Sequence, residues 1–343
     1  MIALAASAPP AVVYPLYLQA IIAIVKGAVL LFVLLTLAAY AVFAERRILA
    51  FMQGRVGPNR AGPFGFLQPL ADVFKLLTKE EANPPFADKW LYYAAPAIIT
   101  ITSMLTFAVI PFGPSDWFII TDLNVGLLFF LALSSLGVYS IVLAGWSSNS
   151  KYAALGGLRA TAQMISYELP MSLALVGVVL AAGTFSLREI VCAQSGLWFI
   201  VIQPVGFAVF LIAAVAESRR TPFDLPEAEN EIVAGFHTEY SSMKFALFFL
   251  GEYVSIMLLS CIIAVVYLGG WHGPWLPPPL WMLIKVGALV FFFIWIRATF
   301  PRLRYDHLME LGWKWLMPLA IANVVITAAL LLAFPKLVQG AVK

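Results

Sequence analysis

The sequence predicts an all-α polytopic membrane protein: eight transmembrane helices plus one amphipathic helix on the cytoplasmic side, with both termini on the outer side. Three observations predict it. Apolar runs recur from end to end of a 343-residue chain that is 62% hydrophobic. Only 11% of its residues are charged and mean hydropathy is +0.92, so lipid is the natural solvent for most of the chain. Finally, Lys and Arg are sorted to one side, as short basic loops retained on the cytoplasmic face would be.

Crossing ~30 Å of hydrocarbon takes about 20 residues at 1.5 Å each. Runs of that kind cover 18–43, 90–112, 123–146, 160–182, 197–216, 244–268, 280–297 and 315–334, within a single membrane domain. The inner loops are then 45–89, 147–159, 217–243 and 298–314. Sixteen of the 21 Lys and Arg residues lie in or beside them, whereas only Arg188, Lys336 and Lys343 fall outside. The last two, Lys26 and Lys285, sit in apolar runs near the outer boundary, where a long stem can snorkel to the headgroups. This sorting accounts for the net charge of +3 and leaves no reason to invoke nucleic acid. No basic residue precedes Lys26, so no cleavable leader is expected. Cys192 and Cys261 are isolated thiols, too few for an iron–sulfur cluster, and are read as packing residues.

The first inner loop is too long and too patterned for a plain connector. Gly54, Gly57, Pro58, Gly62, Pro63 and Gly65 break any helix there. Beyond them Phe66, Leu67, Leu70, Val73, Phe74 and Leu77 recur at helical spacing, with Gln68, Asp72, Lys75 and Lys79 between, which predicts an amphipathic helix of about four turns. Such a helix suits the membrane interface. A greasy groove with a polar mouth, made beside Arg46, Arg55 and Arg60, would also suit a lipid-like ligand with a polar head.

Acids at membrane depth are expensive and usually functional. "QMISYELP" places Gln163, Ser166, Tyr167, Glu168 and Pro170 in the fourth run, and Glu252 lies in the sixth. Glu168 is read as functional rather than as a carboxylate that merely bridges helices, while Glu252 could equally sit near the inner headgroups. "AESRRTPFDLPEAENEIVAGFHTEY" gathers Glu217, Asp224, Glu227, Glu229, Glu231 and Glu239, six of the chain's 18 acids. Phe223, Leu225, Ile232, Val233 and Phe236 interleave with them, which argues against a freely solvated loop. On a helix, Glu227 and Glu231 would share a face. Carboxylates crowded in low dielectric cannot all ionise, and that is chemistry for passing protons.

At these residues the chain resembles the quinone-binding membrane subunit family of respiratory complex I. "ERRILAFMQGRVGPNRAGPFGFLQPLADVFKLLTKE" and "AESRRTPFDLPEAENEIVAGFHTEY" are similar to the family's two signature segments, and "QMISYELP" and "WIRATFPRLRYDHLMELGWK" agree with it from about residue 18 to 335. The resemblance implies a quinone tail that enters from the bilayer between the first span, the amphipathic helix and the sixth span. It implies that Arg46, Arg55, Asp72, Phe66 and Phe74 line or shape that tunnel. It also implies a proton relay of Glu168, Glu217, Glu227, Glu229, Glu231 and Glu252, with Tyr167 beside Glu168. No cofactor on this chain is implied. Quinone is the substrate, and flavin and iron–sulfur clusters are expected on partner subunits of a peripheral arm, beside other membrane subunits and lipid. The implied location is a bacterial cytoplasmic membrane, with periplasmic termini. Phe300 in "ATFPR" stands where some relatives place Tyr, so no hydroxyl role is assigned there.

Two other classes fit less of the sequence. A membrane anchor of a hydrogenase or formate hydrogenlyase would share the fold without necessarily binding quinone, and the full "GRVGPNRAGPFGFLQPLADVFKLL" argues against it. An independent channel or transporter predicts inverted repeats or discontinuous helices in matching halves, and no such symmetry is visible.

Overall fold

The computed structural model describes residues 15–225 and 233–333. Among the described residues the regular structure is helical. Seven helices are long and apolar enough to cross a membrane, and no metal-binding cluster of His, Cys, Asp or Glu occurs.

Helix α1 (Leu16–Met52) runs 37 residues, about 55 Å. That outlasts the bilayer, so its last turns, with Glu45, Arg46 and Arg47, project beyond the hydrocarbon. The apolar run ends at 43, but Ala, Leu, Arg and Glu are good helix formers and nothing stops the helix before Gly54. The Gly/Pro hinge follows, and Gly65 is required there. Its φ is +80° and an added Cβ would lie 2.2 Å from the Pro58 carbonyl oxygen. The amphipathic helix α2 (Gln68–Thr78) is 11 residues, three turns rather than four. Pro69 fixes its first turn, and Phe66 and Leu67 are left in the hinge.

Helices α3 (Lys89–Thr106), α4 (Gly126–Ser147) and α5 (Lys151–Ala182) form the largest packed layer. Small residues allow α4 and α5 to meet at Gly145 and Gly157. At Gly156 a Cβ would sit 2.6 Å from the Cα of Gly235, so a side chain there would displace the loop that follows residue 232. After the short helix α6 (Leu187–Ala193) comes the main departure from expectation. The run 197–216 is not one continuous helix but two short ones, α7 (Phe199–Ile202) and α8 (Pro204–Glu217). Pro204 lacks an N–H and pushes Gln203 out of helical geometry, to φ −129° and ψ 61°. The Gln203 side chain braces the break. The Gln203 amide donates to the Gly177 carbonyl at 2.6 Å and to Thr327 Oγ1 at 3.2 Å.

Helix α9 (Ser242–Tyr267) is the centre of the bundle. Its most apolar window is 83% buried, against 11% for α1, which therefore sits at the periphery. Helix α10 (Pro278–Thr299) packs beside it. The last crossing starts ten residues earlier than expected, with α11 (Tyr305–Glu310), a π-helical segment (Leu311–Leu316) and α12 (Met317–Ala333).

Both apolar-run lysines are held by backbone carbonyls. Lys26 donates to the Asp116 and Ile119 carbonyls at 2.7 and 3.2 Å. Lys285 is buried and donates to the carbonyls of Leu268, Gly270 and His272 at 2.6, 2.8 and 2.7 Å. These carbonyls lack helical partners at the end of α9, so an ammonium with three donors is better satisfied there than by snorkelling. Cys261 is packed as expected, whereas Cys192 is exposed, so the packing reading fails for it.

Candidate functional site

A cavity of about 410 Å³ lies between α1, α2 and α9. Leu35, Ala38, Val42 and Phe43 line it from α1, and Ala246, Leu247, Phe249 and Leu250 from α9. Helix α2 contributes Pro69, Asp72, Val73 and Leu76, spaced i, i+3, i+4 and i+7, which is one helical face. Leu70, Phe74 and Leu77 are exposed on other faces. The polar mouth is built by Arg46, whose guanidinium donates to Asp72 Oδ2 at 2.7 Å while Gln68 donates to Oδ1 at 3.1 Å. Ser242 fixes the end of α2 to α9, its hydroxyl shared between the carbonyls of Leu76 and of Lys79, just past the helix, at 2.8 and 2.9 Å.

Of the five residues implied for a quinone tunnel, Arg46 and Asp72 line this cavity. Phe66 lies one ring away, its centroid 5.8 Å from that of Phe43. Phe74 and Arg55 are exposed and do not line it.

Behind the cavity, four elements bring a charge cluster together. Glu45 from α1, Arg220 from the segment after α8 and Glu252 from α9 are each at most 6% exposed. Arg220 pairs with Glu252 and, at 3.2 Å, with Glu45, which also pairs with Arg297 of α10. Two carboxylates against two guanidiniums leave the cluster neutral, the condition under which charges tolerate burial. Glu252 is therefore a buried member of an ion-pair network, not a headgroup neighbour. Nearby, Arg302 donates to Asp224 Oδ2 at 3.0 Å.

A second acidic pair forms where α4, α5 and α8 meet. The adjacent Ser134 and Ser135 of α4 donate to Glu217 (at 3.3 Å) and to Glu168, and the two carboxylates feel each other's charge. Glu168 is only half-buried, less than its depth in the sequence suggests. Glu217, whose Oε2 has no hydrogen-bond partner among the described residues, lines a void of about 50 Å³ whose mostly apolar wall also carries Thr102, Ser103, Thr106, Ser134, Arg219 and Ser255. That is room for a few waters. Tyr167 takes no part in this pair. Successive helical residues point about 100° apart, and its hydroxyl donates to the Leu308 carbonyl at 2.8 Å, not to a carboxylate. Gln163 ties α5 to the start of the acidic loop, donating to the Ala216 and Phe223 carbonyls, both at 2.9 Å. Glu227, Glu229 and Glu231 lie outside the described residues.

Two titrating groups in the loop after α8 oppose each other. Burial pushes the Asp224 carboxyl up from 3.8 to about 6, against the pull of Arg302. The native state thus holds its proton more tightly than the unfolded chain, and the stability this gives is lost as pH rises through about 6. Burial, then the Arg219 charge, pushes His237 down from 6.5 to about 4. Its contribution is present above 6.5 and is lost as pH falls towards 4. His237 stacks edge-on against Phe236 and Phe245, so His237→Phe fits the site and removes the second effect. The variant's thermal stability relative to the parent is expected to be higher at pH 5 than at pH 7. An equal difference at both would mean that His237 does not titrate as described.

Sequence reasoning misses Ser134, Ser135, Glu45, Arg220, Arg297 and Arg302. The serine pair is visible as two adjacent hydroxyls in an apolar run. The arginines are absorbed into the side-sorting of charge, which says which face a residue is on but not whether it is buried.

The NADH dehydrogenase family model matches residues 25–328. An H-type NADH-quinone oxidoreductase subunit of Geobacter metallireducens is 60% identical over 325 residues, covering 93% of this chain and 99% of the relative. The H-type subunit of Geobacter sulfurreducens is 59% identical, covering 90% and 95%, and that of Methylococcus capsulatus is 54% identical, covering 87% and 94%. With most of both chains matched at such identity, this chain belongs to the NADH dehydrogenase family, in the company of the H-type membrane subunits.

Proposed function

We propose that the chain is the membrane subunit of a proton-translocating NADH:quinone oxidoreductase, in a bacterial cytoplasmic membrane. In this reading the α1–α2–α9 cavity admits quinone from the bilayer, and the acids behind it couple quinone reduction to proton pumping. The observation that carries it is the cavity itself: apolar along its length, closed by an interface helix and ending at a polar Arg46–Asp72 mouth, in a chain whose relatives are named for quinone. An apolar cleft with few polar groups fits an isoprenoid tail with a polar head. Reducing quinone to quinol takes two electrons and two protons. The electrons come from flavin and iron–sulfur clusters on peripheral-arm partners, docked on the inner face. The proton demand is felt by Glu45, Glu252, Glu217 and Glu168, and the termini face the periplasm.

The cavity is tested by filling it. Ala246→Phe, on the α9 wall, is expected to raise KM for quinone and cut quinone-linked kcat/KM by about tenfold or more. NADH oxidation by a soluble artificial acceptor, which bypasses the cavity, should stay normal in the assembled enzyme. Unchanged quinone kinetics would sink the cavity reading. Copurification after mild detergent extraction tests the partners, and recovery of the chain alone would count against the assembly.

A further inference from the structure

The quinone cavity and the buried ion-pair cluster are separated by a thin wall. On α1, Arg46 lines the large cavity and its neighbour Glu45 lines a void of about 10 Å³ inside the cluster. On α9, Glu252 joins the cluster, and the next residue, Tyr253, lines both spaces. Among the described residues, Tyr253 is the one common to the two linings. It is 6% exposed, and the Arg220 guanidinium lies over its ring, 4.6 Å from the centroid. The ring also meets Phe249, a cavity-lining residue, at 6.5 Å between centroids. Arg220 thus has anionic partners on two helices and an aromatic face that stands between it and the cavity.

We propose that Tyr253 is a positioning residue that holds Arg220 between Glu45 and Glu252 and conveys the state of the cavity to that cluster. The proposal rests on the quinone reading given above. A cation stacked on an aromatic ring is attracted by the ring's quadrupole and shielded from water. A ligand that presses on the cavity side of the ring shifts the surface on which Arg220 rests. Because Arg220 is shared by two carboxylates, a small displacement strengthens one pair at the expense of the other. The charge on Glu45 or Glu252 is then less well compensated and its hold on a proton changes. No contact between quinone and the acids is needed.

The test compares Tyr253→Met, which fills the space without an aromatic face, with Tyr253→Phe, which keeps the face. Both are read in the assembled enzyme, beside Ala246→Phe. The Met variant is expected to lose about tenfold in quinone-linked kcat, with KM for a short-tailed quinone changed by less than about threefold. Its kcat–pH profile should shift, and artificial-acceptor activity should be retained. The Phe variant keeps the face but loses the hydroxyl contact with Arg220, so it should lose clearly less kcat than Met and keep a profile nearer the parent's. A Met variant with parental kcat and pH profile, or a Phe variant as impaired as Met, would overturn the assignment. If Tyr253→Met does not accumulate, Tyr253→Leu, which also lacks an aromatic face and does not titrate, is read the same way, and a parental pH profile again overturns it. The two readings fail separately. Silent Tyr253 variants beside an effective Ala246→Phe reject only the positioning role, whereas an ineffective Ala246→Phe rejects the cavity reading beneath it.

Discussion

Arg220→Met is expected to leave almost no stably folded chain in the membrane. Arg220 is buried between Glu45 and Glu252, so its removal does not simply delete two ion pairs. It strands carboxylate charge in low dielectric, and breaking a buried pair from one side costs about 3–5 kcal/mol. That is a large share of the ~5–15 kcal/mol by which most domains are stable. Arg297 still pairs with Glu45 and softens the loss on that side, so the cost falls mainly on Glu252. By contrast, Arg302→Met removes the partly exposed partner of Asp224 and should cost less, because that buried carboxyl, already pushed up to about 6, can take up a proton rather than stand as bare charge. The measurement is the heat resistance of the detergent-extracted chain. Adding Glu252→Gln to Arg220→Met should recover much of the loss, since the stranded charge is then gone. An Arg220→Met chain as heat-resistant as the parent would mean that the cluster does not depend on this residue.

The largest functional effect without loss of folding is expected from Glu168→Gln. The amide oxygen can still accept from Ser135, so the local packing is kept while the titratable proton is removed. If Glu168 carries protons, quinone-linked turnover and pumping in the assembled enzyme should fall by at least about a hundredfold, the low end for losing a group that transfers a proton. Ser135→Ala should be milder, since it misplaces the carboxylate without abolishing it. Glu168 and Glu217 are linked through the adjacent Ser134 and Ser135 and by their mutual charge. The double variant with Glu217→Gln should therefore lose less than the product of the two single losses. Parental turnover and pumping in assembled Glu168→Gln enzyme would make this carboxylate structural.

What can be read from the sequence follows from the range of the forces involved. Hydropathy acts over twenty residues at a time, so the membrane class and most helices are visible in the apolar runs. Helix ends are not, because α1, α5 and the last crossing continue past the hydrocarbon on ordinary helix-forming residues. The break at Gln203 is signalled by Pro204, but a single proline in an apolar run also fits a kinked, continuous span, as at Pro170 in α5. At the site, the pattern of 66–77 locates the amphipathic helix correctly. It does not say which face meets the cavity: Asp72 and Val73 do, Phe74 does not. The ion-pair cluster is the least legible part. Glu45, Arg220, Glu252 and Arg297 are spread over 252 residues, and only folding brings them together.

The three carbonyls held by Lys285 have a mechanical consequence. They tie the C-terminal end of α9 to α10, while Ser242 ties its other end to α2, so a tilt of this helix about the Lys285 end is felt along its length. Glu252 lies 16 residues from Leu268, about 24 Å along the axis, so each degree of tilt about that end would swing it by about 0.4 Å. A tilt of about three degrees therefore spans the difference between a made and a broken hydrogen bond at Glu252.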